Sequence, residues 1–260
     1  LKHNIVTFTA VTIFALSGII FWETGFAWLV MLLIALIYFT ILAYGSFKIQ
    51  ANYYLTSINK GKRKSVALTF DDGPDEDNTP KILQILREKD VKATFFVIGK
   101  KAEKYPDIIR QINEEGHTLA NHSYSHSYLI AFFSTKRLKA DLLRCNEVIT
   151  GIIEKSPLFF RPPFGVTNPR YATVIKELQL NSIGWSLRSL DTRAKNKYQL
   201  ISRILAVLQK RDIILLHDNL PVTADALEDI IEHCVQKGIK IEPLPQLIDK
   251  NPYGKTPDHF

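Results

Sequence analysis

Two histidines four residues apart, in His122-Ser-Tyr-Ser-His126, are the first candidates for chemistry in this chain. At that spacing both imidazoles lie on one face of a helical turn and can share one metal ion. Surface histidines pair this way by chance too, so the spacing alone decides little. A carboxylate would complete a two-histidine, one-carboxylate site with open coordination positions. Thr69-Phe-Asp71-Asp72-Gly-Pro74 offers two. Adjacent aspartates point in different directions, so one can ligate a cation while the other handles a proton beside it. Gly73-Pro74 makes a tight turn that holds the pair. The bland reading of Asp-Asp-Gly is an acidic turn with one Asp capping the next helix. Two histidines and a carboxylate also suit Fe(II), so a non-haem iron oxygenase stays open, although the paired aspartates argue against it.

The elements that must position these residues follow a βα rhythm. Apolar runs predict strands at Val66 to Phe70, Ala93 to Val97, His117 to Asn121, Leu158 to Arg161, Ser182 to Ser186, Ile213 to His217 and Ile239 to Glu242. Amphipathic runs between them predict helices over 80–89 with Thr79 as N-cap, 101–115, 135–153, 169–178, 198–209 and 223–237. Seven strands alternating with helices imply a parallel α/β architecture, in which a barrel and an open sheet fit equally. The ionisable residues fall where strands end. Asp71 and Asp72 follow the first strand, His122 and His126 the third, and Arg161 the fourth. Asp191 lies just beyond the fifth, and His217 ends the sixth. In parallel α/β folds the C-terminal strand ends form the active face. Taken singly, His217 is an ordinary core histidine and Arg161 an ordinary salt-bridge partner. Taken together they are harder to explain that way.

In order and spacing, Thr69 to Pro74, His122 to His126, Arg161-Pro-Pro-Phe-Gly165 and Ile214-Leu-Leu-His217 resemble four of the five motifs of the polysaccharide deacetylase family. This is the NodB-homology domain, carbohydrate esterase family four. The resemblance runs from about Ser65 to Leu244. It implies a distorted (β/α)7 barrel, a divalent metal, most commonly zinc, and removal of N-acetyl or O-acetyl groups from sugars. By the resemblance, Asp72, His122 and His126 would bind the metal. Asp71 would be the general base, oriented by Arg161, and His217 the general acid, with Asp191 in the same catalytic set. Pro163, Phe164 and Leu215 would contact substrate, Phe164 through its backbone N–H at the oxyanion and Leu215 at the acyl methyl group. Amide hydrolysis needs these parts: a nucleophile at neutral pH, a base beside it, donors for the oxyanion, and an acid for the amine.

The fourth motif departs from the family pattern. Trp185-Ser-Leu-Arg188-Ser-Leu-Asp191-Thr192 places Arg188 where the family has an aspartate and Thr192 where it has a second tryptophan. The departure bears on how His217 and Arg161 are held and on the shape of the acyl pocket. A basic residue there would suit an anionic substrate.

The remaining composition bounds the class. Of 260 residues, 46% are hydrophobic and 23% charged, which excludes a disordered chain, and two cysteines exclude a disulfide framework. Cys145 and Cys234 fall in predicted helices as core residues, and His117, His233 and His259 join no constellation. Residues 4–22 and 24–47 contain no Asp, Glu, Lys or Arg, and only Glu23 separates them. At about 1.5 Å per residue each can cross a hydrocarbon core of about 30 Å as a helix. A signal peptide followed by one anchor is the competing reading. Lys2 and Glu23 are the only charged residues before Lys48, so the whole net charge of +7 lies on 48–260. Lys60, Lys62, Arg63 and Lys64 cluster behind the second span, which by the positive-inside rule favours the cytoplasmic side for 48–260, with an outward-facing barrel acting on a glycan polymer left open. That cluster also suits anionic lipid, and no nucleic-acid motif accompanies it.

The expectation is a transmembrane hairpin over 1–47, a basic linker over 48–64, a barrel over 65–248 and a loose polar tail over 249–260. Its function would be metal-dependent deacylation of an amino-sugar glycan or lipid-linked sugar, with a catalytically impaired glycan-binding membrane protein as the alternative.

Overall fold

The computed structural model describes residues 2–254, so His259 and the end of the tail lie outside the described residues. The chain opens with α1 (Lys2–Ile20) and α2 (Ala27–Phe47), packed as a hairpin across a short turn in which Gly25 takes a left-handed φ of 68°. Both helices are long and apolar enough to cross a membrane, and almost nothing on them is covered by protein. Three of their hydroxyls are satisfied within the same helix: Thr12 and Thr40 donate to carbonyls one turn back and Ser17 to Phe14 O. Such pairing removes the cost of a polar group facing hydrocarbon.

The rest is β1 (Ala67–Asp71), α3 (Asn78–Glu88), β2 (Thr94–Val97), α4 (Gly99–Lys104), α5 (Pro106–Glu114), β3 (Thr118–Asn121), α6 (Thr135–Ile153), β4 (Ser156–Pro157), β5 (Phe159–Phe160), α7 (Pro169–Glu177), β6 (Asn181–Ser182), β7 (Leu187–Arg188), α8 (Lys197–Val207), β8 (Ile213–His217), α9 (Pro221–Gln236), α10 (Leu244–Ile248) and β9 (Tyr253–Gly254). Seven strands form one parallel sheet in the order β6-β5-β3-β2-β1-β8-β7, curled into a distorted (β/α)7 barrel.

Side-chain parity decides what faces the interior. Along β1, Leu68 and Phe70 pack outward against Ile82, Leu83 and Leu86 of α3 and against α9. Ala67 faces inward with Phe96, Ala120, Ile213 and Leu215. Alternation with period two therefore turns Thr69 and Asp71 inward as well. The same parity turns His217 inward, and the β1–β8 register sets Asp71 directly beside it. Leu244, Leu247 and Ile248 of α10 join the inward cluster.

Several elements differ from expectation. The strand expected at Ile239 to Glu242 is a single bridge between Val66 and Ile241, and Leu187–Arg188 supplies the seventh strand instead. The helix expected over 101–115 breaks at Tyr105, because Pro106 cannot donate its backbone nitrogen and starts α5 instead. Thr79 does not cap α3. Asp75 Oδ1 accepts from the backbone N–H of Asp77 and Asn78, while Thr79 donates its hydroxyl to Asp218.

Residues 48–64 are not a free tether. Ile49 is buried in the inner cluster, and Ile58 forms a parallel bridge with Ile183 just past β6, donating its N–H to Ser182 O and accepting from Gly184 N. A Cβ on Gly184 would stand 1.9 Å from Asn59 Oδ1, so only glycine permits that approach. The start of the expected loose tail is held too: β9 pairs antiparallel with β4, and Tyr253 OH accepts from Leu119 N.

Candidate active site

The end of β1 splits its two aspartates. Asp71 continues the strand and faces the barrel interior, where its Oδ1 accepts from Arg161 Nη1 at 2.6 Å. Asp72 takes a φ of 72°, which turns the chain out of the strand direction. Arg161 is 0% exposed and every part of its guanidinium is held. Beyond Asp71, it donates to Thr69 Oγ1, Ile183 O and Gly184 O, and it stacks 4.0 Å from the Phe96 ring centroid. Burial pushes the Arg161 pKa down, and Asp71 opposes that shift. A charge buried this completely is retained only because it is paired and hydrogen-bonded.

His122 and His126 do not sit on a helical turn. They lie in an irregular loop after β3, with Ser123 and His126 at φ 68° and 44°. The loop is tied by Asn121 Oδ1 accepting from Ser123 N, Ser123 Oγ accepting from His126 N, and Asp141 Oδ1 accepting from Tyr124 N. The four-residue spacing is thus satisfied by a compact turn, and the ring centroids stand 5.0 Å apart. His122 Nδ1 donates to Arg161 O at 2.8 Å, which fixes the tautomer and aims Nε2 at the aspartates.

Asp72 Oδ1 lies 3.4 Å from His122 Nε2 and 3.1 Å from His126 Nε2. All three ligand atoms fall within 4.8 Å of one another. That oxygen is buried without a hydrogen-bond partner, the orphan that a cation would satisfy. Two imidazoles and one carboxylate, with the cavity beyond them, suit a divalent ion with open positions. Burial pushes the Asp72 carboxyl up, but the His122 and His126 imidazoles hold it well below the usual carboxylate range. His126 is pushed down to about 4 by burial and by His122, and is neutral and able to ligate at neutral pH. Burial opposes a proton on His122, yet Asp71 and Asp72 raise its pKa; the same negative field favours a metal cation in the proton's place.

On the opposite flank, His217 Nδ1 donates to Asp191 Oδ1 at 2.8 Å. Asp191 is itself buried and also accepts from His217 N, Thr223 Oγ1 and Thr192 N. Burial would lower the His217 pKa, but the Asp191 carboxylate overrides it and raises it to about 9.

These groups line a cavity of about 230 Å³, closed by Phe164, Gly165, Trp185, Arg188, Thr192 and Leu215. Gly165 has a φ of 69°, and a Cβ there would meet Trp185 at 2.4 Å, so the loop can pass the indole only as glycine.

The sequence profile of the family described as polysaccharide deacetylase matches residues 58–183. Over 189 residues the chain is 34% identical to a peptidoglycan-N-acetylglucosamine deacetylase of Bacillus cereus, covering 71% of this chain and 68% of that protein. The chain belongs to the polysaccharide deacetylase family. It is also 32% identical to a chitooligosaccharide deacetylase of Azorhizobium caulinodans, over 70% of this chain and 94% of that one. The solved structure of the Bc1960 peptidoglycan N-acetylglucosamine deacetylase, bound to a substituted N-hydroxybenzamide, superposes with a TM-score of 0.72 at 32% identity. It covers 75% of this chain and 94% of that one.

Against the polysaccharide deacetylase pattern, the altered fourth motif leaves both pairs joined. Arg161 keeps Asp71 and three further acceptors without a carboxylate at position 188, and Asp191 alone holds His217. Arg188 and Thr192 instead line the cavity wall. Pro163 is buried in the turn that carries Phe164, whose φ is 59°. Reading the sequence missed three residues that hold the site, Asn121, Asp141 and Thr223. Only their positions beside the motifs could have pointed to them.

Proposed function

We propose that this chain is a membrane-anchored, metal-dependent hydrolase that removes N-acetyl or related acyl groups from an amino-sugar polysaccharide or a lipid-linked saccharide. The observation that carries the reading is the gathering, at or just beyond five strand ends, of the Asp72–His122–His126 cluster between an Asp71–Arg161 pair and a His217–Asp191 pair. The deacetylase activity of the relatives and the uncovered apolar hairpin support it.

A divalent cation, zinc by donor type, held by Asp72, His122 and His126 would supply Lewis acidity at the acyl carbonyl and acidify a water. The chain's own residues supply the rest. Asp71 commits Oδ1 to Arg161, so Oδ2 is the oxygen left to take the proton of the attacking water. Arg161 keeps that carboxylate from rotating. The Phe164 N–H donates to the oxygen on which negative charge develops. Leu215 gives the acyl methyl group an apolar wall. His217 presents Nε2 to the leaving nitrogen and protonates it, with Nδ1–H locked on Asp191.

Full-length protein in detergent should release acetate or formate from N-acylated chitooligosaccharides or peptidoglycan fragments in a cation-dependent way. Chelation should abolish release and added zinc restore it. Release that survives complete chelation would sink the reading. Protein that binds zinc yet releases nothing across such a panel would favour the alternative, a glycan-binding protein without catalysis, which Arg188 and Thr192 on the cavity wall motivate. Bound iron with substrate-dependent oxygen uptake would point to an oxygenase.

A further inference from the structure

A second cavity, of about 720 Å³, lies between the last turn of α2 and the rim of the active site. Ala43, Ser46 and Phe47 form its helix side, and Tyr128, Phe132 and Phe164 its rim side. Phe164 also walls the catalytic cavity, so the two spaces are neighbours across one side chain. The rim is unusually apolar for a surface: Tyr128 is 89% exposed, Phe132 78% and Leu129 64%. Large apolar groups left this open mark a contact surface. The barrel is docked on α2 in a fixed orientation. Thr167 donates its N–H to Ser46 O and its hydroxyl to Gly45 O, and Gln50 donates to Trp185 O. A Cβ on Gly45 would overlap Tyr53, so the folding of the 48–64 segment back onto α2 needs glycine there. The active-site rim is thereby held beside the helix end that, in the function proposed above, leaves the membrane.

We propose that the groove between α2 and the rim takes the hydrocarbon chain of a lipid-linked substrate, whose sugar reaches the cation site past Phe164. The inference rests on the membrane-anchored deacylase reading and narrows its substrate to the lipid-linked class. Continuity argues for this occupant. The groove begins on an apolar helix long enough to span a bilayer and ends on a side chain of the catalytic cavity. The chemistry of the sugar argues for it too. In a 2-acetamido sugar the anomeric carbon adjoins the carbon bearing the amide, so a lipid phosphate at that position starts a few bonds from the scissile group. Arg188 on the cavity wall and Arg170 on the groove wall have no acceptor for their guanidinium groups among the described residues, and either suits such a phosphate.

The test compares two N-acetylglucosaminyl phosphates with full-length protein in mixed micelles, one esterified with a C20 prenyl chain and one with methyl. Wild type should show at least a tenfold higher kcat/KM for the prenyl ester. Ala43→Trp, on an exposed helix face, fills the groove. It should cut that preference to less than threefold while leaving methyl-ester hydrolysis within twofold of wild type. Phe132→Asp, on the opposite wall, should act alike. Partition into micelles favours the prenyl ester equally for every variant, so a preference retained in both variants would overturn the groove assignment. Equal kcat/KM for the two esters in wild type would overturn it as well, with deacylation intact. Hydrolysis of neither ester, nor of soluble chitooligosaccharide, would overturn the deacylase reading itself.

Discussion

Asp71→Asn should lower kcat/KM for an N-acylated sugar by about 10²–10⁴-fold, the range general-base catalysis contributes, in protein that remains folded. The substitution is nearly isosteric. An Asn oxygen can still accept from Arg161 Nη1, and the three other acceptors of that guanidinium are untouched. What disappears is the negative charge that, in the proposed mechanism, takes the proton. Asp71→Ala is a different experiment. It leaves a fully buried guanidinium without its counter-charge, and removing one partner of a buried pair costs about 3–5 kcal/mol. The two variants therefore separate chemistry from stability. Asn should lose rate with an unfolding midpoint close to wild type, and Ala should lose both. Full activity in Asp71→Asn would remove Asp71 from its role as base.

The second large effect belongs to the other flank. His217→Ala removes the proposed proton donor to the leaving nitrogen and should also cost about 10²–10⁴-fold. Asp191→Asn gives a sharper readout, because Asp191 raises the His217 pKa to about 9. An acid must be protonated to act, so activity should fall as pH rises through that value. A bound cation nearby lowers the limb in wild type and variant alike, so the informative quantity is the difference between the two profiles. Without the carboxylate, the limb should move toward the ordinary histidine value of about 6.5. The stability linkage has the same sign. A pKa raised by folding contributes stability fully present below about pH 6.5 and lost as pH rises through about 9. Asp191→Asn should therefore destabilise the protein mainly on the acid side of that window, and thermal unfolding against pH checks it. An alkaline limb at the same pH in both proteins would contradict the assignment of His217 as the acid.

The long buried strands were legible because their apolar runs are continuous and broken by a charged or polar residue where each strand ends. That break at Asp71 and His217 is also what exposed the candidate site. Two-residue strands carry no such signal. Leu187–Arg188 therefore went unseen, while Ile239 to Glu242 had the composition of a strand without the pairing. The His122 to His126 loop shows another limit. A four-residue spacing fits a helix and a compact turn equally, and the backbone bonds of Asn121 and Ser123 choose the turn. Basic composition made 48–64 look like a tether, although Ile49 and Ile58 anchor it to the barrel. The groove beside Phe164 joins residues more than a hundred positions apart, and no local pattern announces it.

The proposed chemistry turns on one cation shared by Asp72, His122 and His126, whose ligand atoms lie within 4.8 Å of one another. Metal analysis of purified full-length protein, after dialysis against a limiting divalent cation, tests this most directly. Wild type should retain close to one equivalent per chain, and a variant carrying Asp72→Ala and His126→Ala should retain almost none at unchanged helix content. Wild-type occupancy in that variant would contradict the account.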